Sequence, residues 1–129
     1  MVRLRCRLRT VLLMAVGLPF LLSPAIQADE LLDTYVARLS ANDHFNSKGK
    51  RLRSVAAIMR QDRANYHKFG IRDSEDTGDD FFSNKSNRAI LERMLNRGYI
   101  SEKTKNAILN KTPLILVQIF DDYVKVYLE

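Results

Sequence analysis

The sequence predicts an α+β domain: about three helices packed on a two- or three-stranded antiparallel sheet that includes a C-terminal β-hairpin. Three patterns point to it. Residues 114–128 hold two apolar-rich runs on either side of Asp121-Asp122, the mark of two strands joined by a tight turn. Residues 50–69 set Leu52, Val55, Ala56, Met59 and Tyr66 along one helical face. Residues 84–97 repeat that spacing with Ile90, Leu91, Met94 and Leu95, and Gly98 supplies the stop.

Residues 1–28 stand apart from this domain and read as a cleavable secretory signal. Arg3, Arg5, Arg7 and Arg9 give a cationic start with no acid, and the apolar run at residues 11–22 is shorter than the roughly 20 residues that span a bilayer. The small residue Ala28 precedes the first acids, Asp29 and Glu30, so cleavage is placed after it. Ile26 is large for its position before the cut, and an uncleaved anchor is the alternative reading. The arginines are never adjacent and Cys6 precedes the apolar run, so a general export route fits better than a twin-arginine or lipidated one. Residues 29–129 are then a single domain exported to a periplasm or secreted, with no stable membrane anchor.

Export changes the charge balance. The full chain carries +6, but four of its 21 basic residues and none of its 15 acids precede Asp29, which leaves +2. The basic character belongs largely to the signal and gives no support to nucleic acid as a partner, and few stacking aromatics are interleaved with the basic edge Lys48, Lys50, Arg51, Arg53 and Arg60. Cys6, the one cysteine, leaves with the signal, so the domain relies on its apolar core without a disulfide.

Taken in order, residues 34–40 fit two patterns. Leu31, Leu32, Tyr35, Val36 and Leu39 fall at helical spacing, while Tyr35, Ala37 and Leu39 alternate as in a strand. We read a strand, because a lone hairpin is marginal in water and needs a third strand or a covering helix. Asn46-Ser47 is expected to cap the helix at residues 50–69, which Gly70 ends. The acid-rich stretch 71–80 reads as a loop, and Ser101 caps a short helix to about Asn110. A two-residue turn then sets Ile119 opposite Val124, Val117 opposite Val126, and Ile115 opposite Leu128, all facing the core. The other hairpin face carries Leu116, Phe120, Tyr123 and Tyr127 around Gln118 and Lys125. It is apolar enough to pack on a helix, on a partner or on a second copy of the chain.

Candidate site residues concentrate where polar groups interrupt the helical stripe. Arg63 falls near the centre of the apolar face with Asp62 and His67 on its flanks, and a buried guanidinium needs an anionic partner. Asp43 and the acidic loop are the available partners. Arg63 is expected to pin loop 43–47 to the helix, or else to bind a ligand carboxylate or phosphate. The tentative binding set is Arg63, Asp43, His44, Asn46, Asp62 and His67, with Phe120, Tyr123 and Tyr127 on the hairpin. His44 and His67 with Asp43 or Asp62 also form the one set from which a small metal-dependent hydrolase could be built, though their spacing matches no zinc motif.

Asp73, Glu75, Asp76, Asp79 and Asp80 are weak candidates for calcium. Asp73 and Gly78 fit the calcium-loop pattern, whereas Thr77 and Asn84 depart from it. These acids also follow residues 48–72, which carry eight basic residues against Asp62 alone, and attraction between the two stretches is the simpler account. The mature chain has no nucleophilic cysteine, no phosphate-cradling glycine run and no Gly-x-Ser-x-Gly elbow. The functional expectation is a non-enzymatic binding or accessory domain for a protein or small ligand outside the cytosol. No cofactor is expected beyond the weak calcium and zinc readings.

Overall fold

The computed structural model describes Gly17 and residues 22–129. Most of the segment read as an export signal therefore lies outside the described residues. The chain is α+β, as expected. Its strands are β1 (Asp33–Arg38), β2 (Tyr99–Ile100), β3 (Leu114–Ile119) and β4 (Val124–Leu128); its α-helices are α1 (Val55–Ala64), α2 (Lys85–Ala89), α3 (Leu91–Arg97) and α4 (Glu102–Asn110). No helix among the described residues is long and apolar enough to cross a membrane.

The sheet has the order β1-β3-β4-β2. Residues 34–38 do form a strand: β1 runs antiparallel to β3, with Tyr35 opposite Val117 and Ala37 opposite Ile115. The hairpin takes the expected register, Ile119 with Val124, Val117 with Val126, and Ile115 with Leu128. One correction concerns β2, which pairs parallel to β4 and makes the sheet mixed rather than purely antiparallel. Two residues are too few to leave a strand period in the sequence. Gly98 permits the pairing, because a Cβ there would lie 1.7 Å from the Val124 carbonyl oxygen.

One sheet face carries the core. Tyr35, Ala37, Leu39, Ile115, Val117, Ile119, Val124 and Val126 are buried there with Ile58 and Met59 of α1, Leu91 and Met94 of α3, Ile108 of α4 and Phe82. Each large apolar side chain so buried contributes about 1.5–3 kcal/mol.

Ser101 caps α4 as expected, accepting from the Thr104 amide, but the two helices before it are shorter than predicted, for local reasons. Asn46 does not cap α1; its Oδ1 accepts from the amides of Lys48 and Lys50 and closes a turn in which Gly49 has φ 77°. Ser54 caps α1 instead, accepting from the Ala57 amide at 3.2 Å. After Ala64 the helix widens into a π turn, Asn65–Phe69, closed by Gly70 at φ 67°. The predicted helix at 84–97 breaks at Ile90 into α2 and α3. Single π turns often mark functional positions, and this one directs the side chains that form the site.

Candidate functional site

Arg63, at the last turn of α1, is fully buried. Its Nε donates to Asp62 Oδ2 at 2.7 Å, and its Nη1 donates to Asp79 Oδ1 at 2.9 Å and to the Thr77 carbonyl at 3.2 Å. The guanidinium lies 3.8 Å from the ring centre of Tyr35 and 4.8 Å from that of Tyr66. These faces accept the charge where hydrogen bonds run out, since Nη2 and the Tyr35 hydroxyl find no partner among the described residues. The π turn brings His67 Nε2 to 3.0 Å from Asp79 Oδ1, and Asp79 also accepts from the Phe82 amide. Two buried carboxylates thus share one guanidinium. Burial pushes the Asp62 carboxyl up to about 7 against the opposing pull of Arg63. Burial likewise raises the Tyr35 phenol and keeps it neutral.

Arg63 was expected to hold loop 43–47, but Asn65 does so. Asn65 Nδ2 donates to Asp43 Oδ1 at 2.9 Å, and Asn65 Oδ1 accepts from Gln61 Nε2 at 2.8 Å. Asp43 Oδ2 accepts from the Ser40 amide at 3.0 Å. Burial raises the Asp43 carboxyl, opposed by its hydrogen bonds from Asn65 and Ser40. His44 sits between two backbone carbonyls, Ser40 and Ile108, each 2.8 Å from a ring nitrogen. His44 and His67 therefore face different partners, and among the described residues no three His, Cys, Asp or Glu side chains converge as a metal site. The recess at His67 and Asp79 is shallow, about 350 Å³, and Ser83 there donates to the Asp80 carbonyl.

The acidic loop seals the outer edge of β1. Thr77 exchanges hydrogen bonds with the Val36 backbone at 2.8 and 2.9 Å, and Asp76 Oδ1 accepts from the Arg38 amide at 2.8 Å. Glu75 accepts from the Arg38 guanidinium, Asp76 Oδ2 from the Asp73 amide, and the Asp80 amide donates to Asp33. An open strand edge invites pairing with other chains, and these contacts occupy it. Of the expected attraction to residues 48–72, Asp79 meets Arg63 and His67, while Glu75 and Asp76 are engaged by β1 and by their own loop.

Between loop 43–47 and the π turn lies a groove of about 590 Å³. Phe45, Phe69 and Ile71 line it and stay 39%, 46% and 47% exposed. Ala41, Ser47 and the amides of Asn42, Asn46, Gln61 and Asn65 complete its lining. Sequence reasoning named Asn46 here but missed the three apolar residues. The available signal was Phe69-Gly70-Ile71, two large apolar groups flanking a helix stop rather than continuing its stripe. A larger cavity of about 660 Å³ lies where α4 meets the ends of β3 and β4, and no aromatic side chain lines it.

The outer hairpin face is only partly open. Phe120 is buried and stacks on Tyr123 at 4.5 Å, with Lys125 beside both rings, while Tyr127 and Tyr99 form a more exposed pair at 5.7 Å. Comparison with known protein families, curated proteins and solved structures finds no match to this chain.

Proposed function

We propose that the protein is an exported, non-enzymatic binding module that holds its ligand in the groove between loop 43–47 and the π turn. One observation carries this reading: Phe45, Phe69 and Ile71 converge on a single concavity whose remaining lining is uncharged, four amides with Ala41 and Ser47. Exposing three large apolar groups together is unfavourable without a ligand to cover them. Amides fix the orientation of what binds, as in most ligand sites. The buried polar residues act one layer behind, because Asn65 ties Gln61 to Asp43 and so sets the distance between the two walls. The outer hairpin face offers less, since Phe120 is buried against Tyr123 and Tyr127 pairs with Tyr99.

Site-specific photocrosslinking in the organism that makes the protein tests this. A benzoylphenylalanine replacing Phe45 or Phe69 is expected to give a discrete adduct, and one replacing Tyr127 is not. Adducts from position 127 alone would move the binding surface to the hairpin and refute the groove.

A further inference from the structure

A second depression shares Gln61 and Phe69 with the groove, and Arg60, Lys68, Lys85 and Arg88 line it together with Leu52 and three alanines. Among the described residues, Lys48, Lys50, Arg51, Arg60, Lys68 and Lys85 form no salt bridge. Of the acids near them, Asp62 and Asp79 are paired with Arg63 and Glu75 with Arg38, while Asp73 forms no salt bridge among the described residues. Two of the free cations stand at the aromatic walls themselves. The Arg51 guanidinium is 5.5 Å from the Phe45 ring centre, and the Lys68 ammonium is 5.1 Å from that of Phe69. The groove is thus apolar and amide-lined, and the depression beside it sets cationic side chains around an apolar floor.

From this we infer that the ligand of the proposed groove is an acidic peptide segment of another protein that carries an aromatic or aliphatic anchor. The inference rests on the groove being the binding site. The anchor covers Phe45, Phe69 and Ile71, and carboxylates on the same segment meet Arg60, Lys68 and Lys85. Asn46 Oδ1 and Gln61 Nε2 already bond within the chain, which leaves Asn46 Nδ2 as a donor and Gln61 Oε1 as an acceptor for the peptide groups of an extended segment. Charge complementarity of this kind selects the partner and speeds its encounter. Concavity decides between a peptide and an anionic membrane, because a bilayer takes apolar groups that protrude, whereas these three line a hollow.

A random dodecapeptide display library panned against the exported protein, purified after expression of the full chain, tests the inference. Enriched peptides are expected to combine Asp or Glu with Phe, Leu or Trp. A synthetic copy should bind at least about tenfold more weakly to the Arg60→Glu/Lys68→Glu double variant, and likewise when salt is raised from about 0.1 M to about 1 M. Phe69→Ala should weaken it too. These side chains are surface groups, and circular dichroism checks that each variant stays folded. Neutral or basic peptides that respond to Phe69→Ala but not to the charge reversals would keep the groove and overturn the acidic partner. If no peptide depends on Phe69, both readings fall. Co-sedimentation with phosphatidylglycerol vesicles that an enriched peptide does not inhibit would overturn the peptide in favour of a membrane surface.

Discussion

Replacing Arg63 with methionine probes the centre of the polar network. The guanidinium is fully buried, donates to Asp62 and Asp79 at 2.7 and 2.9 Å, and stacks on Tyr35 at 3.8 Å. Methionine keeps much of the apolar contact, so the cost falls on two buried carboxylates left without their cation. Breaking one buried pair in this way costs about 3–5 kcal/mol. In a domain of about 100 residues each kcal/mol moves Tm by roughly 4–8 °C, so Arg63→Met should melt about 12–40 °C below the parent. The assay is a thermal melt at neutral pH followed by circular dichroism. Adding Asp62→Asn and Asp79→Asn to Arg63→Met removes the stranded charges and should recover much of the loss. A single variant melting within about 3 °C of the parent would refute the network as a structural pin. A triple variant no better than the single would place the cost in packing instead.

Asp62 gives a pH dependence of defined sign. Its folded value of about 7 lies above the ordinary carboxylate range near 4, so between those values the folded chain holds a proton that the unfolded chain has released. Stability from this group therefore falls as pH rises from about 4 to 7, and buried Asp43, also raised, acts in the same direction. Urea midpoints of the parent measured against Asp62→Asn should decline across that window, and a relative rise would contradict the assignment. Gly98→Ala places a Cβ 1.7 Å from the Val124 carbonyl oxygen, so it should cost about 1–3 kcal/mol or more and release β2 from β4, readable as faster amide exchange at Ile100; unchanged exchange would count against the pairing. Asn65→Leu leaves Asp43 without its amide donor and should cost about 1–3 kcal/mol by urea unfolding. A neutral outcome there would mean that loop 43–47 is held by other contacts.

Much of the fold was legible because burial imposes a period on the sequence. The hairpin register followed from alternation alone, and β1 from the need to complete its sheet. The helix ends were less readable. Asn46 has the side chain of a cap but spends it on a turn, and Ile90 interrupts a helix whose apolar spacing runs on through it. At the site, burial of Arg63 followed from its place on the apolar face, and the acidic loop was named among its partners. Its choice of Asp79 over Asp43 depends on how the loop folds back along β1, which no local pattern encodes. The groove was hidden for a related reason: Phe45, Phe69 and Ile71 are far apart in sequence or out of phase with their helix, and only the π turn and the Asn65 bridge bring them together.

The most direct test of the groove is an amide chemical-shift titration of the isotopically labelled protein with two small probes, N-methylacetamide for the peptide group and phenol for an aromatic anchor. The account predicts the largest shifts at Phe45, Asn46, Gln61, Phe69 and Ile71 for both probes, with smaller ones elsewhere. Shifts gathered at Tyr99 and Tyr127, or at Lys103 and Leu114 by the larger cavity, with the groove silent, would contradict it.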